Sequence, residues 1–91
     1  MATERKHAIL LVEDEPLTLK NLKTIFEKAH FDVMTAQDGL EAIAVYEHKK
    51  DQIDVILTDI VLPEMDGWMM HSRLKDISPL VKVIFTSGLR P

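Results

Sequence analysis

The chain has 91 residues, with 11 Lys+Arg against 15 Asp+Glu and a formal charge of -4, a size that holds a single domain. Hydrophobic residues make up 46%, enough for a packed core, yet apolar runs such as Ala8 to Val12 and Val83 to Phe85 are far too short to span a bilayer. The acidic balance weighs against direct nucleic-acid binding; with no cysteines and no secretory signal in Met1 to Lys6, a cytoplasmic, disulfide-free domain is expected.

Ala8 to Val12 is an unbroken apolar run of strand length, the pattern of a strand covered on both faces. Pro16 then suits the first turn of a helix, and Leu19, Leu22, Ile25, Phe26 and Ala29 recur at spacings of three and four. Phe31 to Ala36 reads as a second strand. Asp38, with Glu41 three residues on, resembles a capping box for a second helix that carries Leu40, Ile43, Ala44 and Val45.

Ile53 to Thr58 reads as a third strand ending at Asp59, followed by a loop with Pro63 and an Asp66-Gly67 turn signal. A third helix is predicted over Trp68 to Asp76, and a fourth strand over Val81 to Thr86. The order βαβαβαβ specifies an α/β fold, a doubly wound parallel sheet with helices on both faces. Three helices over four strands leave apolar surface bare. At roughly 25 cal/mol per Å², a few hundred Å² amounts to several kcal/mol, so a longer native chain or a second chain is expected to cover it. Self-association through the bare sheet edge or face follows as one expectation.

The acids sit where strands end. Glu13 and Asp14 follow the first strand and Asp59 closes the third. In the strand order 2-1-3-4 these two strands are neighbours at the topological switch point, and their carboxyl ends open into one crevice. Convergent carboxylates repel by about 4 kcal/mol per pair near 4 Å at an effective dielectric of ~20, so they take up protons or bind a cation. Oxygen-only ligands without Cys or His suit a hard divalent ion, Mg²⁺ above all, which keeps waters and bridges to phosphate. Ser87 ends the fourth strand with a hydroxyl able to donate to an oxyanion on the neighbouring acid. The chemistry implied is Mg²⁺-assisted transfer of a phosphoryl group onto Asp59.

The run Ala8 to Pro16, the segment Ile56 to Gly67 with its D-x-x-x-P-x-x-D-G spacing, and Val83 to Gly88 together resemble the receiver domain of two-component response regulators. The resemblance runs the whole chain, residues 1–91, and implies a flavodoxin-like three-layer fold lacking the family's last helix, fifth strand and final helix. It implies Asp59 as phosphoacceptor, Glu13 and Asp14 as metal ligands directly or through water, and the Val61 backbone carbonyl as a further ligand. Ser87 matches the switch hydroxyl, with Thr86 as fallback. It also implies a histidine kinase or phosphotransfer protein as phosphodonor, and an acceptor domain rather than a conventional enzyme. The family's phosphate-binding lysine is absent, and Lys82 lies at the wrong end of its strand to replace it.

Other residues read as structural. His7, His30, His48 and His71 lack ligand spacing and are expected at the surface. Met65, Met69 and Met70 are expected to pack, Gly67 to serve a turn, Pro63 to stiffen the loop, and Trp68 to be partly exposed. A dehalogenase-type phosphatase would carry a second acid where Val61 stands, and a flavin carrier would not place Glu13-Asp14-Glu15 in its phosphate loop. The alternative that stays open is a receiver-fold module that binds partners without being phosphorylated.

Overall fold

The computed structural model describes residues 6–86. Strands β1 (Ala8–Val12), β2 (Asp32–Ala36), β3 (Val55–Asp59) and β4 (Val83–Thr86) alternate with helices α1 (Pro16–Lys28), α2 (Gly39–Lys49) and α3 (Gly67–Ile77). All neighbouring strands are parallel, in the order β2-β1-β3-β4. This is the doubly wound, flavodoxin-like sheet predicted above.

Alternation along β1 builds two cores. Ile9 and Leu11 face α1, meeting Leu19 and the partly buried Leu22 and Phe26. Leu10 and Val12 point the other way, joining Ala42 and Tyr46 of α2 with Met70 and Leu74 of α3. Every residue of β1 is buried, which explains why an uninterrupted apolar run stands there rather than an alternating one.

The helix starts follow from local chemistry. Pro16 occupies the first turn of α1, where its missing N–H is no loss, and the Glu15 side chain caps the helix by accepting from the Leu17 N–H. Asp38 caps α2 by accepting from the Glu41 N–H at 2.8 Å. The return half of the predicted capping box differs: Glu41 accepts from the N–H of Gln37, one residue before the cap. Asp66 caps α3 through the Met69 N–H at 2.8 Å, so α3 starts at Gly67 rather than Trp68 and runs on to Ile77.

Two strands begin two residues later than predicted. Ile53 is a buried core residue, but it lies before β3, with its N–H donated to the Lys49 carbonyl at the end of α2. Val81 likewise packs on the core while its N–H closes a turn onto Ser78. Hydrophobicity placed both inside; backbone hydrogen bonding excludes them from the ladder. β2 begins at Asp32, one residue after Phe31. Phe31 instead packs edge-on against Phe26 of α1, with ring centroids 5.4 Å apart.

α1 lies over β1 and β2, so the same face of β3 and β4 is thinly covered. Ile84, paired in register with Leu57, is 56% exposed there. The expectation of bare apolar surface is met on this side of the sheet. Leu11 is fully buried on the opposite, covered half. Replacing Leu11 by Ala is expected to lower unfolding free energy by about 3 kcal/mol, whereas Ile84→Ala should cost well under half of that. Urea denaturation of the two variants checks the ranking.

Candidate metal centre

Adjacent parallel strands set the geometry. Val12 pairs in register with Thr58, so the residues that follow, Glu13-Asp14 on one strand and Asp59 on the other, leave the sheet side by side. One carboxylate oxygen from each of Glu13, Asp14 and Asp59 lies within 4.8 Å of the other two. Glu13 and Asp59 are each only 6% exposed, and Asp14 is half-buried. At this spacing each pair repels by on the order of 3 kcal/mol at an effective dielectric of ~20.

Backbone donors hold part of this charge. Glu13 donates its own N–H to the Ala36 carbonyl at 3.0 Å, which pins it beyond the end of β1. Its carboxylate accepts from the Glu15 N–H at 3.0 Å. Asp59 accepts from the Val61 N–H at 3.2 Å. These bonds orient the carboxylates, while the like charges remain close. Their donor set consists of oxygens alone, two of them on nearly buried side chains, and it fits a small hard divalent cation.

The loop after Asp59 is held tightly. The Gly67 N–H donates to the Ile60 carbonyl at 2.6 Å. A Cβ on Gly67 would lie 3.0 Å from the Asp59 carbonyl oxygen, 3.0 Å from the Ile60 Cα and 2.9 Å from Cε1 of Phe85. Gly67 is therefore needed for close approach as the first residue of α3, not for the turn that the Asp66-Gly67 pair predicts. Between them, Glu64 takes a left-handed backbone at φ 66°, a costly conformation for a residue with a side chain. Met65 is buried with its side chain against Gly39 at the start of α2.

The remaining sequence candidates divide. Thr86 pairs in register with Asp59, but its hydroxyl donates to the Thr58 carbonyl at 3.3 Å. Ser87 lies outside the described residues. Lys82 is exposed at the opposite end of the sheet, where its carbonyl accepts from Ile56. Among the described residues no histidine joins the acidic group. His7 sits 3.7 Å from Asp54 at the other rim, and His71 packs edge-on to Phe85 at 5.8 Å. Met65 and Met70 pack as expected, whereas Met69 is exposed. Sequence reasoning missed Phe85, whose ring fills the space beside Gly67; only its place one residue before Thr86 hints at that.

Residues 9–90 match the response regulator receiver domain family. The chain belongs to that family. It is 34% identical over 80 residues to the sensor kinase CckA of Brucella abortus, covering 88% of this chain and 8% of that protein. It is 40% identical over 80 residues to a protein-glutamate methylesterase/protein-glutamine glutaminase of Rhodospirillum rubrum, covering 87% of this chain and 21% of that one. The chain thus spans a small part of the length of these relatives.

Solved receiver structures agree in fold. A Clostridium thermocellum receiver domain protein superposes with TM-score 0.88 at 30% identity, over 91% of this chain and 66% of the other. A CheX-CheY complex with BeF3 and Mg²⁺ from Borrelia burgdorferi gives TM-score 0.86 at 34% identity, over 91% of this chain and 63% of the other. No helix among the described residues is long and apolar enough to cross a membrane.

Two outcomes follow from the receiver's acidic group. Without divalent cations, Asp59→Asn is expected to raise unfolding free energy by about 1–2 kcal/mol, since it removes one of three mutually repelling charges. Gly67→Ala should lower it by about 1–3 kcal/mol through overpacking against backbone. Thermal and urea melts in a chelator-containing buffer measure both.

Proposed function

We propose that this receiver domain accepts a phosphoryl group on Asp59 from the phosphohistidine of a histidine kinase or phosphotransfer protein, with Mg²⁺ as cofactor. The observation that carries the reading is the convergence of Glu13, Asp14 and Asp59 within 4.8 Å at the carboxyl end of β1 and β3. Family membership supports it, as does the likeness to a receiver solved with BeF3 and Mg²⁺.

Asp59 is the nucleophile in this reading. One carboxylate oxygen attacks phosphorus, a P–O bond forms, the P–N bond to the donor imidazole breaks, and its electron pair returns to the ring nitrogen. The Val61 N–H bonded to Asp59 Oδ1 fixes which oxygen is turned outward. Glu13, Asp14 and Asp59 would hold the ion with the Val61 carbonyl, Glu13 and Asp14 directly or through a bound water. When bound, Mg²⁺ offsets the charge that an anionic donor meets on entering an acidic crevice.

Ser87 is the switch hydroxyl that turns toward the acyl phosphate, with Thr86 as the fallback. For Thr86 to serve, its bond to the Thr58 carbonyl must first break. Phosphorylation then biases an equilibrium at the end of β4 and alters partner affinity. The thinly covered face around Ile84 is the surface through which copies of the 91-residue chain associate. The domain acts in the cytoplasm, consistent with a chain that has no cysteine.

Incubation with Mg²⁺ and a small acyl phosphate, followed by intact mass, tests the reading. One added phosphoryl group is expected in the wild type and none in Asp59→Asn. No mass change in the wild type would overturn the acceptor role in favour of a phosphorylation-independent binding module. Mg²⁺ at about 100 times its dissociation constant should also stabilise the wild type by about 2.7 kcal/mol, and this gain should be lost in Asp14→Asn.

A further inference from the structure

Phe85 occupies an unusual position relative to Asp59. It lies in register with Thr58 on β3, is half-buried, and its ring edge comes close enough to Gly67 that a Cβ there would lie 2.9 Å from Cε1. On one side of that gap is the carbonyl of Asp59. On the other, the Trp68 indole stacks on the Phe85 ring at 4.5 Å, tilted by 45°. Trp68 is 59% exposed on the first turn of α3. An unbroken line of packed groups therefore runs from the backbone of Asp59, through Gly67 and Phe85, to an indole at the surface.

The line has little slack. Gly67 is held from the front by its 2.6 Å bond to the Ile60 carbonyl, and the absence of a side chain leaves backbone directly against backbone. Close-packed interiors transmit small displacements because they have no free volume to absorb them. A change of charge at Asp59 alters the repulsion among three carboxylates and shifts the backbone that carries it. That shift meets Gly67, then the ring of Phe85, then the indole.

We propose that Phe85 is a positioning residue that couples the charge carried by Asp59 to the placement of Trp68, making the first turn of α3 a surface that reports the state of the site. The proposal rests on the reading of Asp59 as the centre whose charge changes in function. Its geometry stands without any phosphoryl group. Effects along such a line are reciprocal: whatever Asp59 does to Trp68, a partner binding Trp68 does to the site.

Trp68 is the one tryptophan of the chain, so its emission isolates the effect. The experiment is a double-mutant cycle on the 91-residue chain without metal or phosphodonor, comparing wild type, Asp59→Asn, Phe85→Leu and the double variant. Asp59→Asn should shift Trp68 emission in the Phe85 background, and the shift should be at least about fivefold smaller once Phe85 is replaced by Leu. Thermal midpoints measured alongside separate this from loss of folding, and Phe85→Met takes the place of Phe85→Leu if the latter does not fold. Equal shifts in both backgrounds, or no shift in the first, would overturn the coupling. Phosphorylation of the wild type, followed by mass, is scored separately. A coupled but unphosphorylated protein sinks the acceptor reading alone, and a phosphorylated but uncoupled one sinks only the role of Phe85.

Discussion

Three negative charges are forced together by the pairing of β1 with β3. The register Val12 to Thr58 places Glu13-Asp14 and Asp59 at the same height, and the ladder hydrogen bonds of two buried strands keep them there. Hydrophobic burial on both faces of β1 supplies the free energy that holds the repelling carboxylates in place. The site is thus a locally unfavourable arrangement maintained by the rest of the domain.

The surrounding structure divides its work accordingly. Caps at Glu15, Asp38 and Asp66 start each helix at the carboxyl edge of the sheet, so the loops around the acids are short and their ends fixed. That edge also holds strain, in the left-handed Glu64 and in the close approach of Gly67 to Asp59, while a second left-handed residue, His30, lies at the opposite edge between α1 and β2. Similar architecture in receivers sharing about a third of their residues with this chain shows how many sequences meet the same demands.

Much of this was legible in the residues alone. The apolar run at Ala8 announced a strand buried on both faces, Pro16 and Asp38 marked helix starts, and acids placed directly after strands one and three located the crevice. Where the reading slipped, hydrophobicity and backbone pairing had separated. Ile53 and Val81 are core residues outside their strands, bonded back to the preceding helix and turn, and no local pattern distinguishes them from strand residues. Gly67 was visible as a special position but for the wrong reason. Its neighbours in space, Asp59 and Phe85, come from two different strands, and only tertiary packing brings them to it. The apposition of Phe85 and Trp68 was hidden for the same reason.

The interior place of β1 also bears on how the chain is made. Its partners β2 and β3 both follow it in sequence, so during synthesis at about 5–20 residues per second the least polar stretch waits a few seconds for its second neighbour. Through that interval Ile9, Leu10 and Leu11 can pair only with β2, and the β3-facing edge of β1 stays open. Early docking of α1 on Ile9 and Leu11 covers one face of that strand while its open edge, a template for pairing with another polypeptide, awaits β3.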